Sequence, residues 1–193
     1  MTAALLAVAG CGGSNKSSTP PGGDSLPAPP TTTTTIGGTD PLEGAGTTPV
    51  VGTSSGSETA LLDRIAVGRH EGYDRVVFQF QNVLPDYRIE YVQPPLKEDG
   101  SGNPVSVQGN AIVLVRMEPE SGFDLNTGEG VMTYKGPKRI GGAAAGTSVV
   151  QELVRTGDFE AVLSWAIGLS DKVDFRVRMA TSPARLIVDF RNH

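Results

Sequence analysis

Two carboxylate pairs are the first places where this chain of 193 residues could do chemistry: Glu118 and Glu120 flank Pro119, and Asp158 and Glu160 flank Phe159. On a strand, residues i and i+2 share one face about 7 Å apart, a spacing compatible with the acid and base of glycoside hydrolysis. Such pairs are also frequent on any solvated strand or turn, so they do not by themselves predict a hydrolase. Histidine offers less. His70 lies in a Gly68 to Gly72 turn, His193 is the last residue, and no HxH, HExxH or CxxC spacing is present to hold a metal. No GxSxG nucleophile motif occurs either. The expectation is no catalytic residue, no metal and no cofactor.

Binding residues are harder to place, though candidates exist. A saccharide site on a sheet needs a planar aromatic for the sugar face together with convergent donors and acceptors. The run GEGVMTYKGPKR over residues 128 to 139 sets Tyr134 beside Lys135, Lys138 and Arg139 in a loop punctuated by Gly and Pro. These four are the expected ligand-binding residues, the cations meeting anionic wall polymer or stem-peptide carboxylates and Tyr134 supplying the flat surface. The plainer reading is a solvated hairpin with ordinary surface charge. Trp165 alternates with Leu163 and Ile167 and reads as a core anchor. Asp74 beside Arg75, and Arg185 with Asp189, read as charge pairs at strand ends that fix register, worth about 0.2–1 kcal/mol if exposed.

The elements that must position these residues are strands. Strand patterns bounded by Gly, Pro, Asn and Asp recur at Ile65 to Val67, Arg75 to Gln81, Tyr87 to Val92, Ala111 to Met117, Ser148 to Arg155, Ala161 to Leu169, Phe175 to Met179 and Arg185 to Phe190, mostly with period-two alternation, while Ala111 to Met117 is continuous enough to suggest burial on both faces. In the second of these, Val76, Phe78 and Phe80 share one face. Eight or more short strands without a convincing helix predict an all-β domain, a β-sandwich of mostly antiparallel strands over residues 61 to 193. Arg176 and Arg178, alternating with Phe175, Val177 and Met179, read as charges guarding an edge strand. The chain carries 16 Lys and Arg against 21 Asp and Glu, a formal net charge of −5. Without Lys16, Asp24, Asp40, Glu43 and Glu58 the domain has 15 basic and 17 acidic residues, a balance of −2. That gives no global drive toward nucleic acid or an anionic membrane.

Ahead of the domain, residues 3 to 10 are small and apolar, like the end of a secretory signal, and are far too few to span a bilayer. Val8-Ala9-Gly10-Cys11 resembles the lipobox of bacterial lipoproteins, in which the cysteine sulfur receives a diacylglyceryl group and becomes the lipidated N-terminus. Cys11 is the only cysteine, so no disulfide competes for it. No Lys or Arg precedes the apolar run, which points to a start placed too late or a trimmed sequence. From residue 11 to about 60 the chain is rich in Thr, Pro, Gly and Ser and predicts a disordered linker, which for about 50 flexible residues spans on the order of 40 Å. The organisation expected is a signal-peptide remnant over 1 to 10, lipidated Cys11 and linker over 11 to 60, and the domain over 61 to 193. Thr31 to Thr35 is also compatible with O-glycosylation.

Several segments resemble the AMIN-like domain of actinobacterial secreted proteins: residues 63 to 80 (DRIAVGRHEGYDRVVFQF), Tyr87 to Val92, the loop Asp99 to Gly102, Arg155 to Glu160, and Pro183 to Phe190. AMIN domains proper accompany cell-wall amidases and pilus secretins, where they are β-sandwiches that localise their partners on peptidoglycan. The resemblance implies a non-catalytic, membrane-tethered module at the extracytoplasmic face that recognises peptidoglycan or a wall-associated polymer. The alternative it leaves is a lipoprotein scaffold that docks an envelope protein partner.

Overall fold

The computed structural model describes residues 40 to 192 except Ser55 and Gly128. Cys11, the apolar run before it and most of the expected linker lie outside the described residues. Fifteen strands follow one another: β1 (Val50–Gly52), β2 (Ala60–His70), β3 (Tyr73–Phe80), β4 (Asp86–Val92), β5 (Leu96–Lys97), β6 (Pro104–Val105), β7 (Ala111–Glu118), β8 (Glu120–Ser121), β9 (Phe123–Asp124), β10 (Val131–Met132), β11 (Arg139–Gly141), β12 (Val150–Phe159), β13 (Val162–Leu169), β14 (Phe175–Thr181) and β15 (Ala184–Arg191). A single 3₁₀ turn, Ala143–Ala145, is the only helical element among the described residues.

Two sheets face each other, as the alternation predicts. One runs β1-β4-β7-β13-β12-β11 and is antiparallel throughout; the other runs β14-β15-β3-β2-β8, with only the short β2–β8 pair parallel. Between them lies one apolar core in which Val76, Phe78 and Phe80 of β3 and Leu186, Val188 and Phe190 of β15 meet Val113, Val115, Leu153, Leu163, Trp165 and Ile167. Trp165 is fully buried and edges onto Tyr134 at 5.7 Å and Phe78 at 6.4 Å, the anchor its spacing predicts. Small ribbons β5–β6 and β9–β10 extend from the sandwich.

Two expectations are corrected here. Described residues 40 to 59, read from the sequence as linker, pack against the domain. Leu42 is fully buried, Gly46 bridges Phe175, Asp40 pairs with Arg191 at 2.8 Å, and Val50–Gly52 adds an edge strand to β4. Averaging over a Thr- and Gly-rich stretch hides two apolar residues, Leu42 and Val50, that pack against the domain. Second, the strand-end charges pair differently. Arg185 is no partner of Asp189, because four residues separate them along one strand, roughly 13 Å. Arg75 instead donates to Asp189 at 2.6 and 3.0 Å, with Arg176 and Arg178 adding bonds at 3.4 and 3.1 Å.

Asp74 does not pair with Arg75. It falls on the core face with Val76 and Phe78, where an unsatisfied carboxylate would be very costly. Its Oδ2 accepts the backbone N–H groups of Ser148, Val149 and Val150 at 2.9, 2.6 and 3.0 Å, and Oδ1 accepts Asn192 Nδ2 at 2.9 Å. One buried side chain of β3 thus fixes the first residue of β12 in the opposite sheet and the chain just beyond β15. Replacing it strands three buried or half-buried amides, each costing about 1–3 kcal/mol. Asp74→Ala is expected to lower stability by on the order of 3–5 kcal/mol in urea unfolding, with Asp74→Asn intermediate.

Candidate functional site

Of the six large apolar side chains that stand exposed among the described residues, Phe159 is the one aromatic, at 54% exposure. Its position follows from an irregularity in β12. Leu153 pairs with Ile167 and Arg155 with Trp165, both on the core-facing side, but the next pair is Gly157 with Ser164, so Thr156 is an extra residue. A one-residue slip moves every later side chain to the other face. Unbroken alternation from Leu153 would place Phe159 inward; the bulge turns it outward and brings Asp158, opposite Leu163, to the inner side.

Behind the ring the backbone is arranged to support it. The Asp99 N–H donates to Thr156 O at 2.8 Å, bringing the loop from β5 to β6 across the end of β12. Gly157 permits this, since a Cβ there would overlap the Asp99 side chain. Gly100, at φ +82°, sits against the ring, and a Cβ at that position would be 3.6 Å from Phe159 Cγ. Ahead of the ring the β12–β13 turn places Glu160 and Ala161 at φ +53° and +58°, two successive non-glycine residues in the left-handed region. Each costs of order 1–2 kcal/mol, strain of the kind found at functional sites.

Phe159 consequently separates two clefts. One, about 490 Å³, is lined by Thr59, Leu61, Ser121, Phe123, Leu125 and Asn126, with Asp124, Asp158 and Glu160 at its rim. It offers apolar walls and several acceptors beside an exposed ring. The other, about 350 Å³, is more polar and joins Glu98, Asp99 and Ser101 to Lys138 and Arg155. Asp158 is common to both. It accepts Ser121 Oγ at 2.9 Å and the Gly122 N–H at 3.3 Å, and pairs with Arg155 at 3.5 Å.

The expected ligand-binding residues divide. Tyr134 is a correction: it is only 4% exposed, its hydroxyl donates to Pro137 O at 3.1 Å and its ring packs on Trp165, so it presents no surface to a sugar. Arg139 is held by Glu152 at 2.9 Å and donates to Ser106 O at 2.9 Å. Lys138 reaches the polar cleft beside Phe159, whereas Lys135 lines a separate groove of about 590 Å³ with Asp63, Arg64 and Gln81. The four residues therefore do not form one patch. The alternation of VMTYKG carries no mark that Tyr134 faces the core, and the segment Arg155 to Glu160 carries no sign of the bulge that exposes Phe159.

The carboxylate pairs also part company. Glu118 is exposed and bonds Arg116 at 3.2 Å, while Glu120 begins a new strand and is fully buried. Glu160 lies in the turn and Asp158 on the inner side. Neither oxygen of Glu120 has a hydrogen-bond partner among the described residues. Burial pushes its carboxyl well above the usual range, and the charge of Asp158 adds to this. The Leu62 backbone N–H, which does not reach hydrogen-bonding geometry, and Arg155 oppose the shift weakly. His70 ends β2 and stacks on Tyr73 at 4.8 Å; His193 lies outside the described residues.

Two outcomes test this local arrangement. A carboxyl whose folded pKa is raised contributes its stability below its unfolded pKa and loses it as pH rises through the folded one. Glu120→Gln should therefore match the parent in acid and become the more stable of the two as pH rises, read from urea midpoints across pH. The double change Glu160→Asn with Ala161→Gly suits the turn and is expected to raise Tm by about 2–4 °C per kcal/mol of strain relieved, without moving Phe159.

Among known proteins, the AMIN-like domain family matches residues 60 to 192. No curated protein and no solved structure gives a significant match. No helix among the described residues is long and apolar enough to cross a membrane. With two thirds of its length matched and the strand order of a β-sandwich, the chain belongs to the AMIN-like domain family.

Proposed function

We propose that this protein is a non-catalytic binding module of the cell envelope whose ligand is a wall glycan, with the N-acetylated sugars of peptidoglycan as the class that fits. The observation that carries the reading is Phe159: one exposed ring, braced by Gly100, with acceptors of Asp158, Glu160 and Asn126 on one side. Sugar C–H faces stack on such a ring, and carboxylate and amide oxygens accept the hydroxyls around it. Leu61, Phe123 and Leu125 give an apolar wall for an acetyl methyl group. Lys138 and Arg155, across the ring, are placed for a carboxylate of the peptide stem.

In this reading the chain is held to the extracytoplasmic face of the membrane by lipid on Cys11, and the segment between Cys11 and the domain sets its reach. Family membership supports an envelope association, and the lipobox-like Val8 to Cys11 supports the anchor. A protein partner is the competing ligand, favoured by Leu125, Val131 and Met132 standing exposed around the β9–β10 ribbon.

Purified sacculi should retain the full chain, and Phe159→Ala should weaken retention about tenfold, equivalent to about 1.4 kcal/mol, while Leu125→Ala has a smaller effect. Retention unchanged by Phe159→Ala would remove the ring from the site. Capture of one envelope protein without retention on sacculi would favour the docking scaffold. Cys11→Ala is expected to shift the protein out of the membrane fraction; an unchanged distribution contradicts the lipid anchor.

A further inference from the structure

The outer face of the five-stranded sheet is unlike the rest of the molecule. The chain as a whole is acidic, at −5, yet four arginines of three adjacent strands gather here around one carboxylate. Arg176 of β14, Asp189 of β15 and Arg75 of β3 stand in one cross-strand row, Arg178 in the next, and Arg185 stands two residues farther along, in a row with Gln79 and Arg64. With strands spaced 4.7–4.9 Å apart, the array spans roughly 10 by 13 Å.

Asp189 is fully buried beneath these side chains and receives Arg75, Arg176 and Arg178 together. Burial alone would raise its carboxyl; the Arg75 bond and the surrounding guanidinium charges override that and hold it below the usual range. Asp189 thus pre-orders three guanidinium groups with one negative charge, and with Arg185 beyond them the face carries a local excess of positive charge. Arg185 has no ion-pair partner among the described residues, and Nε of both Arg176 and Arg185 is buried without an acceptor. Acidic groups border the array: Asp40 and Asp174 sit on Arg191, and Asp63, held by the neutral Gln79 and Gln81, leaves a negative charge at the Arg185 end.

We propose that this face is a second binding surface, separate from the Phe159 clefts, and that its ligand is a linear polyanion carrying phosphodiester or phosphate groups. Several guanidinium forks approaching from different strands suit an anion whose oxygens point in several directions, and the fork geometry favours Arg over Lys for that task. A bilayer fits less well. Of the exposed large apolar side chains only Met179 lies on these strands, and it pairs with the core residue Leu186 and so alternates to the opposite face from the arginines, which leaves little to insert among acyl chains.

The test is binding of the full chain to inorganic polyphosphate, to poly-glutamate of matched charge, and to vesicles containing phosphatidylglycerol. Polyphosphate should bind, with log affinity falling linearly with log salt concentration, and should exceed poly-glutamate several-fold. Arg178→Gln with Arg185→Gln should lose at least tenfold on polyphosphate and leave binding of N-acetylglucosamine oligomers unchanged; both variants leave the Arg75–Asp189 pair in place. Should that pair of changes disturb the fold by near-UV circular dichroism, Arg178→Lys with Arg185→Lys takes its place and should lose the preference for phosphate over carboxylate. Equal binding of the two polymers, binding to vesicles alone, or affinity unaffected by these changes would overturn the proposal. Because the glycan probe is measured separately, its failure counts against the Phe159 site and not against this one.

Discussion

Everything that β12 presents depends on one buried carboxylate. Asp74 takes the N–H groups of Ser148, Val149 and Val150 and the amide of Asn192, so it ties β3 to the start of β12 across the core and closes the end of β15 on the same point. Charge-assisted hydrogen bonds in a low-dielectric interior are strong, and their loss is expensive because the partners cannot turn to water. From that fixed origin β12 runs ten residues to Phe159. On the way two register shifts intervene, at Val150/Glu152 and at Arg155/Gly157.

Within the strand, the extra residue at Thr156 decides which face the tip shows. Three features act on the same spot: the bulge reverses the alternation, Gly157 lets the Asp99 loop lie across the backbone, and the left-handed pair Glu160–Ala161 turns the chain tightly after the ring. None is needed to fill the core, which Trp165 and its neighbours already pack. All three cost stability relative to a regular hairpin. An exposed aromatic held by strained backbone is what marks this end of β12 as the candidate site.

The sandwich itself was legible. Eight alternating segments correspond to strands of the two sheets, and Trp165 falls in the core because the spacing of Leu163, Trp165 and Ile167 leaves it no other face. The candidate site was less so. Alternation has no term for a bulge, so Phe159 was only the residue between Asp158 and Glu160; a loop-like GEGVMTYKGPKR gave no hint that Tyr134 packs onto Trp165. Composition likewise hid residues 40 to 59, where Leu42 and Val50 dock a polar segment. The partners of Asp189 are neighbours only through strand order, and strand order is set by contacts between residues more than a hundred positions apart, such as Arg75 and Asp189.

That Phe159 and the residues around it form the glycan surface is the claim on which the proposed function stands. An NMR titration of isotope-labelled protein with oligomers of N-acetylglucosamine tests it most directly. The prediction is a contiguous set of shifted resonances at Gly100, Asp158, Phe159, Glu160 and Leu125, saturating with one affinity, and absent at Tyr134. Shifts centred on another face, or none at concentrations that saturate retention on sacculi, would contradict it.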